Sequence, residues 1–387
     1  MELVRLLGLV CVSGLLSGLG CSVIDPSLIR NDGAVDAGAD VDTPDQGVDA
    51  PTKMDGCDGD SRRPPPRPTT EDGAGPEVVF GLKEVLLVQR GETWRDIGFN
   101  LDELCSDPPA PRVECLPPSF PDAVEAIDGN GGIDNQFGSE LTPLVDLVFP
   151  TLSEAAQTSA EEGVGVVVFR IRGWNGEAND PRVDVTVTQS VAGAPDQDGA
   201  PPEIEVREFR IYEPGTDNRY IPAWDGSGTD WLWVREETFL FGDIEQPRVR
   251  DDNAYIADNQ LVITLPDRVE IVFADTFNGV SVKLTDGLAV GTISADRMRL
   301  TPTIFGGRWS ILDLLDTASS VGVCDGDPEF DLVVNQLNNI ADVRSTPGTG
   351  GPGVMCDALS VGVTFEGYRA QIAGVLPGQI PPNECME

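Results

Sequence analysis

The segment of this chain best suited to hold an ion is Asp128-Gly-Asn-Gly-Gly-Ile-Asp134-Asn135. It sets Asp128, Asn130 and Asp134 on alternate positions of a glycine-rich turn, with Asn135 beside them. A hard cation such as calcium needs that convergence of carboxylate and carbonyl oxygens, so calcium is the one cofactor the sequence suggests. The register is not that of a helix–loop–helix calcium hand: the fifth position is Gly132, Ser139 stands where a bidentate Glu belongs, and Glu140 falls one residue late. The same residues also make an ordinary Gly/Asn/Asp turn.

A second candidate is aromatic. In Trp224-Asp-Gly-Ser-Gly-Thr-Asp-Trp231-Leu-Trp233, exposed rings of Trp224 and Trp231 beside Asp225 and Asp230 would stack on sugar faces while the carboxylates bind hydroxyls. Trp231 and Trp233 also share one face of a strand, so core packing accounts for them equally well. Glu203 and Glu205, alternating onto one face of a predicted strand, are the carboxylate pair on which a glycoside hydrolase would rest. The Glu-x-Asp-x-x-Glu signature of jelly-roll glycosidases is absent.

Composition removes most other chemistry. The chain has no histidine, which excludes Ser-His-Asp hydrolysis, Cys-His nucleophiles and His-ligated zinc or iron. Against 65 acidic residues stand 26 Lys+Arg, a net charge of -39 that argues against nucleic acid as a partner and for cations and neutral ligands. Neither a phosphate-binding loop with Lys and Ser/Thr nor a dinucleotide fingerprint occurs.

The elements that would position these residues lie behind an export address. Residues 1–20 read as a signal peptide, with Arg5 followed by the apolar run from Leu6 to Leu16, too short to span a bilayer. Leu16-Ser-Gly-Leu-Gly-Cys21 resembles the lipobox of bacterial lipoproteins, departing from it at Gly18. That resemblance implies lipidation of Cys21, and Ser22 after the cysteine implies an outer-membrane or surface anchor. Residues 21–76 hold no aromatic side chain and are rich in Asp, Ala, Gly and Pro, a composition that reads as an acidic tether too polar to fold. Six further cysteines in an exported chain suggest disulfides. The pairings expected are Cys105 with Cys115 across a short Pro-rich loop, Cys324 with Cys356, and Cys57 with Cys385.

Residues 77–387 are dominated by period-two alternation. Strands are expected over Glu77–Gln89, Gly165–Trp174, Arg182–Val191, Ile204–Tyr212, Trp231–Phe241, Gln260–Leu265, Arg268–Phe273, Ser281–Leu284, Ala289–Ser294 and Ser360–Ile372. The spacing suggests one mainly β domain, an antiparallel β-sandwich of jelly-roll type. Helical spacing recurs over Thr142–Gly163, split at Pro150, and over about 310–343, which reads as a helical hairpin inserted before the last strand.

Three further segments, Trp94-Arg-Asp-Ile-Gly-Phe-Asn-Leu-Asp-Glu-Leu-Cys105, Asp128 to Gly138, and Cys356-Asp-Ala-Leu-Ser-Val-Gly-Val-Thr-Phe365, together with the signal and tether, resemble uncharacterised predicted surface lipoproteins of myxobacteria-like bacteria. The resemblance implies location and a β-rich exported domain, and it carries over no catalytic residue. The expectation is a non-enzymatic, lipid-anchored envelope protein that binds a glycan or another envelope component. The alternatives are a purely structural surface protein and a carboxylate-dependent glycoside hydrolase.

Overall fold

The computed structural model describes residues 62–70, 73–106, 113–121, 126–144, 152–193, 220–273, 280–320, 322–378 and 385. Eight strands form a closed antiparallel barrel: β1 (Val78–Leu86), β2 (Val167–Arg172), β3 (Asp180–Val191), β5 (Arg250–Ala257), β6 (Gln260–Thr264), β8 (Val280–Ile293), β9 (Arg299–Ser310) and β10 (Ala358–Leu376). Each pairs with the next, and β10 returns to β1. Two strands lie outside the ring: β4 (Trp231–Arg235), which bridges β3 and β10, and β7 (Val269–Phe273), which pairs with β8.

Closure depends on the 19-residue β10, which serves three neighbours in turn. Its first part runs beside β9, the stretch from Thr364 to Ala370 also pairs with β1, and Gln371 to Leu376 runs parallel to β4. A bulge between Phe365 and Gly367 lets so long a strand bend around the ring.

This ring corrects the expected sandwich. Alternation reports that each strand buries one face; it cannot distinguish two facing sheets from one sheet rolled onto itself. The β1–β10 pairing, Val79 opposite Ala370 through Leu86 opposite Thr364, decides the matter. Two strands escaped the period-two reading. β5 opens on the polar run Arg250-Asp-Asp-Asn253, and β9 contains Pro302 and Gly306-Gly307. The expected strands Ser281–Leu284 and Ala289–Ser294 are parts of one, β8, bent by a bulge between Thr285 and Leu288. Ile204–Tyr212 lies outside the described residues.

An eight-stranded barrel is just wide enough for side chains to fill it, and here they do. Phe80, Phe169, Phe305 and Phe365 point inward, with the Phe305 ring 5.7 Å from Phe169 and 5.0 Å from Phe365. Helices α2 (Ile311–Ser320) and α3 (Pro328–Ile340) fall where helical spacing places them and close one end, Leu314, Leu337 and Ile340 packing into the same core as Trp309 and Leu359. Helix α1 (Leu152–Glu161) lies against β1. Near the start of the expected helical stretch lies a π turn at Phe137–Leu141, and the Thr142 hydroxyl after it donates back to the Gly138 carbonyl at 3.2 Å.

The disulfides differ from the expected pairings. Cys115 is bonded to Cys356 and Cys324 to Cys385, while Cys105 is disulfide-bonded but not to Cys115. Leu116 runs parallel beside Met355, its amide donating to the Val354 carbonyl and its own carbonyl accepting from Cys356, which brings Cys115 and Cys356 together across 241 residues. Cys21 and Cys57 lie outside the described residues.

The last part of the tether, residues 62–70, is laid against the barrel. The Arg67 guanidinium donates to the carbonyls of Pro181 (2.5 Å) and Asn253 (2.6 Å) and sits 4.4 Å from the centre of the Tyr255 ring. Tyr255 donates its hydroxyl to the Pro65 carbonyl at 2.6 Å, and the Arg62 amide donates to Gly131.

Candidate functional site

The Asp128 loop is built to hold protein, not an ion. Asp128 accepts the Ser106 amide at 2.6 Å, and Asp134 accepts those of Leu101 (2.6 Å) and Asp102 (3.2 Å). Asn130 donates to Asp96. Buried Asn135 donates to Gln89 and the Ile97 carbonyl and accepts from Gly138 and Gly362, tying the loop to β10. With their oxygens turned to backbone amides, these side chains do not converge on a common point. Among the described residues no group of three or more acidic or cysteine side chains is arranged to hold a metal ion.

The carboxylates are nonetheless crowded. Burial, then Asp102, Asp128 and Asp342, push the Asp134 carboxyl well above the ordinary range, and burial raises that of Asp102. Asp342, which accepts the Ser360 amide (2.8 Å) and hydroxyl (2.5 Å), is pushed up to about 7, first by burial. The cation of this region is Arg308, 1% exposed, which donates to Glu114 (2.7 Å) and to the carbonyls of Arg344 (2.8 Å) and Leu101 (2.5 Å).

The aromatic segment is core rather than platform. Trp224 is buried, its indole N–H donating to the Glu161 carbonyl at 2.9 Å and its ring set edge-on to Tyr368. Trp233 is buried beside Tyr220, and Trp231 is half-buried in the same cluster. Asp230 accepts the amides of Ala223 (2.7 Å) and Trp224 (2.8 Å), which shapes the turn, while exposed Asp225 accepts the Ser227 amide. Glu203 and Glu205 lie outside the described residues.

The loop between those tryptophans does reach a site, through its small residues. At the end of the barrel opposite α2 and α3 lies a cup of about 420 Å³. Its lining includes Val78, Trp174, Ser227, Gly228, Arg297, Met298 and Arg369. Trp174 seals the barrel beneath it, 3% exposed, with its indole N–H on the Glu177 carbonyl.

Two strands bring the arginines here. Arg297 sits in the β8–β9 hairpin at a φ of 61°, on a turn fixed by Asp296, which accepts the Ser294 hydroxyl and the Met298 amide. Its guanidinium lies 5.3 Å from the centre of the Trp174 ring. Past the β10 bulge, Arg369 stands opposite Phe80 in the β1 pairing, with its guanidinium 6.0 Å from that ring. Among the described residues its guanidinium makes one hydrogen bond, a long one of 3.5 Å to the Glu77 carbonyl, and burial holds its pKa below the ordinary arginine value. Neither arginine makes an ion pair among the described residues, whereas Arg170 binds Glu77 and Glu245, and Arg250 binds Asp184. Sequence reading passed over both, since an isolated arginine in a hairpin and another late in a strand carry no motif.

Fold and cup together define a closed eight-stranded antiparallel barrel, packed solid inside, with a basic cup at one mouth. In comparisons with known proteins, no family, no curated protein and no solved structure matches this chain.

Proposed function

We propose that the chain is an exported, lipid-anchored, non-enzymatic binding protein of the cell envelope, held by Cys21 through an acidic spacer, whose ligand surface is the barrel mouth. The observation that carries the reading is the cup itself. Side chains fill the interior, so a ligand of any size is taken at the end of the barrel, where Gly228 and Ser227 keep the wall low. No helix among the described residues is long and apolar enough to cross a membrane, and the lipid at Cys21 is the attachment this reading proposes.

Two substitutions test it on the full chain. Cys21→Ser is expected to move the protein from the membrane to the soluble fraction; persistence of lipid label on that variant overturns the anchor. Ser227→Trp places a ring in the cup from an exposed position. It is expected to abolish binding on a glycan array and to isolated envelope fragments while leaving the melting temperature unchanged. Binding that survives this variant moves the ligand surface elsewhere, and a parent protein that binds neither leaves a structural role.

A further inference from the structure

Resting on the reading of the mouth as the ligand surface, we propose that the cup takes a small molecule bearing one carboxylate or phosphate on an apolar body, with Arg369 and Arg297 binding the anionic group. In a chain where acidic residues outnumber basic ones 65 to 26, an arginine finds a carboxylate easily. Among the described residues Arg297 and Arg369 are two of several arginines that form no ion pair, and these two line one cavity. A guanidinium presents a planar fork of donors matched to the two oxygens of a carboxylate or phosphate.

Arg369 is also half-buried, with no countercharge bonded to it among the described residues. Removing a guanidinium from water costs free energy that an anion would offset, so the site is organised before its ligand arrives. Pro76, Val78 and Met298 supply apolar wall for the rest of the molecule. The charge of -39 works against highly charged ligands: its field repels polyanions at long range and favours a compact anion with one acidic group as the species the pair can hold.

The test is calorimetric titration of the full chain with benzoate and phenyl phosphate, with benzamide as the uncharged counterpart of benzoate and inorganic phosphate as the charge without the apolar body. One of the aromatic anions is expected to bind about tenfold or more tightly than benzamide and than inorganic phosphate. Arg369→Gln and Arg297→Gln are each expected to weaken that anion by about tenfold or more and to leave benzamide unchanged. Arg268→Gln, whose parent side chain is paired with Asp313 and does not line the cup, should change neither.

Equal binding of benzoate and benzamide, glutamine variants that bind as the parent does, or no binding by either anion at up to about 10 mM overturns the assignment. Each of these leaves the broader reading to its own test. Glycan or envelope binding that Ser227→Trp abolishes but the glutamine variants do not would keep the mouth as the ligand surface and remove only the anion.

Discussion

Arginine does opposite work at the two ends of this barrel's chemistry. Arg308 is enclosed by Glu114, two backbone carbonyls and, at 3.6 Å, Asp286, so its charge is used up in holding loops to β9. Arg369 and Arg297 carry the same group and meet no carboxylate among the described residues. The difference teaches where this acid-rich molecule spends positive charge on itself and where it leaves charge available.

The largest effect expected from breaking that contrast is at the buried centre. Glu114→Ala strands Arg308 in the interior, a change that costs about 3–5 kcal/mol, measured by denaturant unfolding. A loss below about 1 kcal/mol would mean that the backbone carbonyls alone satisfy the guanidinium.

Next comes pH. Asp342 rises from an ordinary 3.8 to about 7, through burial first and then Asp102 and Asp128, against the lowering bonds from Ser360. The folded state therefore holds this proton more tightly than the unfolded chain. The stability so contributed is full below about 3.8 and is lost as pH rises through about 7. Asp102 and Asp134 shift in the same direction. Melting temperature is expected to fall between acid and neutral pH, and Asp342→Asn to flatten part of that fall. Superimposable profiles for variant and parent would detach the carboxyl from folding.

The smallest effect is at the mouth, with the opposite sign. Arg369→Leu removes a desolvated charge that has no ion-pair partner and is expected to raise stability by about 0.5–1 kcal/mol while abolishing anion binding. Destabilisation would show Arg369 to be structural, like Arg308.

What was legible in the sequence follows from how local each signal is. Alternation marked β1, β2, β3, β6 and β7, and helical spacing marked α2 and α3, because one segment contains each pattern. Closure was not legible. It depends on β1 meeting β10 near the far end of the chain, and no segment shows that alone. β9 hid because its glycines answer to neighbours in space: a Cβ on Gly306 would stand 2.5 Å from the Phe99 ring, and one on Gly307 3.3 Å from Gly287.

At the two sites drawn from motifs, residue type says little for a related reason. Asp128, Asp134 and Asp230 have the residue types of ligands, yet backbone amides a few to some thirty positions away claim their oxygens. The cup is assembled from residues between Pro76 and Arg369, none remarkable beside its neighbours in the chain.

The run of bonds at Arg62, Pro65 and Arg67 has a mechanical consequence. Force applied at residue 62 itself meets these fastenings before it reaches β1, which lies between β2 and β10 with ladders on both edges. Past them, tension enters β1 at Val78 along its own axis, so the rungs of both ladders share the load in shear instead of opening one at a time. The strand beside the cup is thus placed to bear strain that enters the barrel along residues 62–70.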